Sequence, residues 1–157
     1  MKNLSWQITL GVIVTVATIV LLVFVARDEP ARMEQTEAGQ NALAIETGAD
    51  LYEVHCGSCH GTRGEGIEKM GPPLNDEHFF TERLAEIGWT GSLDEYIRTT
   101  INAGRLVASD PEYKHAGGKG KPVMIAWAKE NGGLLQPEEV QDLTTFILNW
   151  EATALGK

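Results

Sequence analysis

Cys56-Gly57-Ser58-Cys59-His60 contains both cysteines of the chain, three residues apart, with a histidine directly after the second. On a turn of helix, residues three apart share a face, so both sulfurs can reach one edge of a flat macrocycle. The histidine one step on can turn its imidazole toward a metal at the centre of that ring. C-x-x-C-H is the spacing of covalent haem attachment, with Cys56 and Cys59 as the sulfur links and His60 as the proximal iron ligand. Other uses of the two thiols fit less well. A thioredoxin-like dithiol needs a βαβ context, which the sequence does not supply. A zinc site needs two further ligands, and His78 and His115 stand at no paired spacing. A disulfide between Cys56 and Cys59 would close a small, strained ring and leave His60 unexplained.

The elements that must position this motif can be read on either side of it. Thr47 followed by Asp50 has the form of a helix start, and Gly48, Leu51, Tyr52, His55 and Cys56 then share one face at helical spacing. Gly61 stops that helix, and the glycine-rich stretch 62–66 is loop. Met70-Gly71-Pro72-Pro73-Leu74 follows as a stiff turn. Its prolines offer carbonyls and no amide hydrogen, a suitable acceptor for the second ring nitrogen of a ligating imidazole. Ser92 with Glu95 forms a capping box that opens a helix with Leu93, Tyr96, Ile97, Thr100 and Ile101 inward and Gly104 at its end. A last helix opens at Pro137 and turns Val140, Leu143, Phe146, Ile147 and Trp150 to the core. No stretch reads as a strand, and the expected class is all-α.

Upstream lies a different material. From Ile8 to Ala26 the chain is apolar apart from Gly11 and threonines, and nineteen residues of helix span about 28 Å, close to the hydrocarbon thickness of a bilayer. Trp6 stands where an interfacial aromatic belongs. A cleaved signal peptide has a shorter apolar part and small residues at its cut, whereas here bulky Phe24 precedes Ala26. The expected organisation is a single transmembrane anchor over 1–26, a flexible linker rich in Glu, Gln, Arg and Ala with Pro30 over 27–46, and a folded domain over 47–157. The formal charge of -9 over 157 residues argues against a nucleic-acid partner.

With the helices placed, the chain from about Thr47 to Trp150 resembles the class I c-type cytochromes, in their membrane-anchored mono-haem form. The features run in order: a first helix with Gly48 and Tyr52, C-G-S-C-H, the Gly-Pro-Pro-Leu turn, a central helix, Pro122-Val123-Met124, and a closing helix with Leu143 and Phe146. The resemblance implies one covalently bound haem c enclosed by helices, the first and last crossing at Gly48 beside Tyr52 and Phe146. It also implies that the Pro72 carbonyl accepts from His60 and that Met124 closes the iron from the far side. Met70 is the alternative methionine, and Trp89 or Trp127 is a candidate donor to a haem carboxylate. Segments 76–90 and 105–121 depart from the family pattern, and the resemblance does not say what covers the haem edge there.

The functional expectation follows from the resemblance. With His60 and Met124 on the iron no position is open to a small-molecule substrate, so the chain is an electron carrier rather than an enzyme. A Met/His pair also raises the reduction potential. The resemblance places the haem domain on the extracytoplasmic side of the cytoplasmic membrane. It implies a redox protein partner or a larger respiratory or photosynthetic assembly, such as a quinol-oxidising complex of the alternative complex III type. A haem c subunit of a nitric oxide reductase or terminal oxidase, and a gas-binding sensor with a displaceable distal ligand, stay open beside it. From Arg105 to Lys129 five bases (Arg105, Lys114, Lys119, Lys121, Lys129) face two acids (Asp110, Glu112), while the flanking stretches are acidic. That basic rim is expected to steer an acidic partner.

Overall fold

The computed structural model describes residues 2–108, 111–113 and 121–156. His115, Lys114, Lys119 and Asp110, named above, lie outside the described residues. Contacts divide the chain into two units, Met1–Gln40 and Asn41–Lys157.

The described residues of the N-terminal unit belong to helix α1, Lys2–His55, which also supplies the start of the second unit. Its apolar side chains from Ile8 to Val25 are all exposed, and no other helix among the described residues is long and apolar enough to cross a membrane. The expected flexible linker at 27–46 is instead helical, and no new helix begins at Thr47. The reason is propensity. Glu, Gln, Ala and Arg favour helix, Arg32 pairs with Glu29 one turn away at 3.3 Å, and Pro30 removes a single backbone bond from an otherwise continuous ladder.

Among the described residues the second unit is built from the end of α1 and six further helices: α2 (Gly57–His60), α3 (Glu77–Thr81), α4 (Arg83–Glu86), α5 (Leu93–Ala103), α6 (Pro137–Leu148) and α7 (Glu151–Ala154). Two single 3-10 turns, Pro111–Tyr113 and Lys129–Asn131, complete it. Among the described residues there is no strand, only isolated bridges such as Arg105 with Met124. The capping box of α5 forms as its sequence requires, with Glu95 N–H donating to Ser92 Oγ and Ser92 N–H to Glu95 Oε2, both at 3.1 Å. Pro137 stands at the first turn of α6. Segment 76–90 contains two short helices, the first capped by Asp76, whose carboxylate accepts from Phe79 N–H at 2.9 Å.

The core gathers Tyr52 and Cys56 of the first helical stretch, Tyr96, Ile97 and Ile101 of α5, and Val140, Leu143 and Ile147 of α6. The end of α1 meets α6 at Gly48. A Cβ placed there would run into the Asp142 carbonyl oxygen and stand 2.6 Å from Phe146 Cβ, so two backbones approach as only glycine permits. Around that crossing Tyr52, Phe146 and Trp150 form an aromatic triad with centroids 4.8 to 5.5 Å apart.

Candidate functional site

The haem motif sits where α1 ends. Cys56 N–H donates to Tyr52 O at 2.9 Å, and the Cys56 carbonyl then accepts from both Cys59 N–H (3.0 Å) and His60 N–H (2.9 Å), winding Gly57–His60 into one tight turn. The two thiols are not joined to each other. Cys56 is buried and Cys59 exposed. Burial, with the neighbouring Cys59, pushes the Cys56 thiol up to about 12, so in the protein chain it is a protonated thiol and not a reactive thiolate.

The stretch from Gly61 to Asn75 folds back under this turn. Gly66 N–H donates to His60 O at 2.7 Å, Leu74 N–H to Gly64 O at 2.8 Å, and Asn75 Nδ2 to Arg63 O at 2.8 Å. These bonds bring the Pro72 carbonyl to 2.8 Å from His60 Nδ1. A carbonyl only accepts, so Nδ1 carries the hydrogen and Nε2 keeps its lone pair, the tautomer an iron ligand requires. Burial lowers the His60 pKa and the bond to Pro72 partly offsets this, which keeps the ring neutral near pH 7. Gly71 makes the approach possible: a Cβ there would be 2.6 Å from Cys59 O and 3.2 Å from His60 Nδ1.

Met124 is held by backbone. Arg105 N–H donates to Met124 O at 2.8 Å, Met124 N–H returns to Arg105 O at 3.1 Å, and Trp127 N–H donates to Ile101 O at 3.0 Å. Met124 is thereby tied to Arg105, and Trp127 to Ile101, at the C-terminal end of α5.

Cys56, Cys59, His60, Pro72 and Met124 all line one cavity of about 650 Å³, with Ile97 and Ile101 of α5 among its apolar walls. Its size, its largely apolar lining, two thiols on one wall and a neutral imidazole with a free nitrogen suit a covalently bound haem. Met70 also lines the cavity, as does His78, whose Nε2 bonds Glu86 Oε1 at 2.8 Å. Trp127 lines it and packs against His55 at 5.0 Å. Trp89 does not: it lies edge-on to Tyr96, with its buried Nε1 lacking a protein partner, beside a separate surface hollow.

Three wall residues are not brought together by the sequence: Arg83 is not singled out there, and Arg105 is read only as part of the basic rim. Tyr96 was foreseen as core, but its hydroxyl accepts from Arg83 Nε at 3.3 Å and from Arg105 Nη2 at 2.6 Å, and all three line the cavity. Arg83 and Arg105 come from the two segments that depart from the family pattern, where no periodicity marks which side chain turns inward.

The sequence model of the family described as Cytochrome c matches residues 45–151. Comparison with curated proteins finds no match, and neither does comparison with solved structures.

Proposed function

The chain belongs to the cytochrome c family, and from that membership we propose a membrane-anchored carrier of single electrons with His60 and Met124 as the axial pair. Its cofactor is haem c, covalently attached, which supplies an iron that gains and loses one electron. Cys56 and Cys59 are the proposed attachment points. The observation that carries this reading is that Cys56, Cys59, His60, Pro72 and Met124, from three separate stretches of chain, line a single cavity.

Each residue then has a defined task. Pro72 fixes the His60 tautomer and raises the basicity of its Nε2. The paired backbone of Arg105 and Met124 holds the thioether segment on the cavity wall. His60 and Met124 would hold the iron between them and leave it no position for substrate, and the chemistry it would supply is the exchange of one electron.

Residues 1–26 are the proposed single-pass anchor, supported by the length and exposure of the apolar side chains, and 47–157 the haem domain on the extracytoplasmic side. Residues 27–46 join them. The partner is a redox protein, free or as part of a quinol-oxidising assembly. Lys121 and Lys129, the exposed members of the basic rim among the described residues, would steer an acidic surface, so the association rate should fall with added salt. Extraction in mild detergent separates a free carrier, which migrates alone, from an assembly subunit.

The test of the closed iron is the visible spectrum of the reduced protein before and after carbon monoxide. An unchanged spectrum is expected. A shifted Soret band would mean an open or weakly held distal position and overturn the closed-site reading in favour of gas binding.

A further inference from the structure

The cavity wall carries a concentration of positive charge that neither the attachment motif nor the axial pair uses. Arg83 Nε and Arg105 Nη2 donate to the same oxygen, Tyr96 Oη, at 3.3 and 2.6 Å, and so lie within about 6 Å of each other. The Arg105 guanidinium also stands over the Tyr96 ring, with Cζ 5.1 Å from the centroid. Tyr96 is 5% exposed, and the Arg83 side chain is 14% exposed. Exposed Glu86 reaches Arg83 at 3.6 Å.

Two guanidinium groups repel at this separation, and the repulsion grows as water is withdrawn from around them. A phenol oxygen that accepts two N–H bonds still has its own hydrogen to donate. The wall therefore gathers two cations and a hydroxyl donor about one point, a receptor for a carboxylate, which guanidinium groups match in shape as well as charge. The cofactor brings carboxylates into this cavity, and the two arginines come from the segments the family pattern leaves unassigned.

We propose that Arg83, Tyr96 and Arg105 form the binding site for a haem carboxylate, and that Arg105 couples this site to the distal ligand. Its side chain belongs to the carboxylate site while its backbone exchanges both hydrogen bonds with Met124. Arg105 is thus a positioning residue for the Met124 segment. The carboxylate part rests on the family's cofactor, and the coupling rests in addition on Met124 as iron ligand.

A carboxylate held by two cations ionises at lower pH than a free one. Its negative charge favours oxidised iron, so the reduction potential falls as pH rises through its pKa. With the site intact that fall lies at acid pH, and without it the fall moves upward. The experiment is redox titration of the full-length holoprotein in detergent over roughly pH 4 to 8, the range of carboxylate and imidazole ionisation. Every protein carries His78→Gln, because His78 lines the same cavity and titrates in this window. His55, Lys121 and Tyr113, which also line the wall, are left unsubstituted in every protein, so the inflection is read as the difference between variant and parent.

The double variant Arg83→Gln/Arg105→Gln is expected to shift the inflection upward by about one to three pH units. Tyr96→Phe should shift it less, in the same direction. Arg98→Gln, on α5 but paired with Asp94 and off the cavity wall, should leave it in place. An inflection at the same pH in the double variant and the parent overturns the carboxylate site. If the double variant does not retain haem, Tyr96→Phe, which keeps the ring and both cations, decides: an upward shift supports the site and an unmoved inflection overturns it. For the coupling, the sulfur-to-iron charge-transfer band of the oxidised protein should weaken in Arg105→Gln and persist in Arg83→Gln. Equal bands in both overturn the coupling. A parent lacking the band overturns Met124 ligation and the coupling with it, while the titration still decides the carboxylate site.

Discussion

Tyr52 donates its hydroxyl to the Gly61 carbonyl oxygen at 2.9 Å, joining the last turns of α1 to the residue that ends the attachment motif. The phenol is 1% exposed, and burial, with Cys56 and Glu65 nearby, raises its pKa well above the ordinary value, so it remains a donor at any working pH. Tyr52→Phe keeps the ring against Phe146 and Trp150 but leaves a buried carbonyl without this partner. A loss of about 1–2 kcal/mol is expected, read as a lower urea midpoint at unchanged slope. An unchanged midpoint would show that the bond adds no net stability.

Gly48 and Gly39 share α1 but differ in what surrounds them. A Cβ at Gly48 meets the α6 backbone, whereas at Gly39 nothing lies within 4 Å. Gly48→Ala should therefore cost about 1–3 kcal/mol through forced separation of the helices. Gly39→Ala should cost nothing, since alanine favours helix. Equal urea midpoints for the two variants would contradict the close crossing.

Met124 and Met70 both line the cavity, so substitution must separate them. Met124→Leu keeps the volume and removes the sulfur. The reduced variant should bind carbon monoxide with a shifted Soret band and show a lower reduction potential. Met70→Leu should leave spectrum and potential as in the parent. The reverse pattern would transfer the ligand role to Met70.

His78 has a pKa raised chiefly by its hydrogen bond to Glu86. A group whose pKa is higher in the folded state stabilises the fold below its unfolded value, near 6.5, and loses that contribution as pH rises through the raised folded value. The imidazole is about half exposed, so the gain is only a few tenths of a kcal/mol. The parent should exceed His78→Gln in urea midpoint at roughly pH 5.5 and match it at roughly pH 8.5. A difference that grows with pH would refute the pairing.

The helices of the second unit were legible where local chemistry decides. Ser92 with Glu95 and Gly104 bound α5, Pro137 opens α6, and the buried Ile97, Ile101, Val140 and Leu143 follow helical spacing. The stretch 27–46 was misread because Pro30 and the lack of an apolar face suggested a break. A helix of Glu, Gln and Ala needs no apolar face to hold its backbone ladder. At the site, the bond from His60 to Pro72 could be anticipated from a proline carbonyl near the motif. The convergence of Arg83 and Arg105 on Tyr96 could not, because it depends on how α4 and the chain leaving α5 fold around that residue.

The crossing at Gly48 also governs the order of events during synthesis. Phe146 and Asp142, which close over Gly48, lie near the end of the chain, so this contact spans almost the whole domain. Such long-range pairing forms late. While the ribosome is still making α6, Cys56, Cys59 and His60 have emerged but the helix that packs the first one in place has not. Until α6 is present Gly48 has nothing to cross, so the packing that holds Tyr52 and the attachment turn in place waits on the last long helix of the domain.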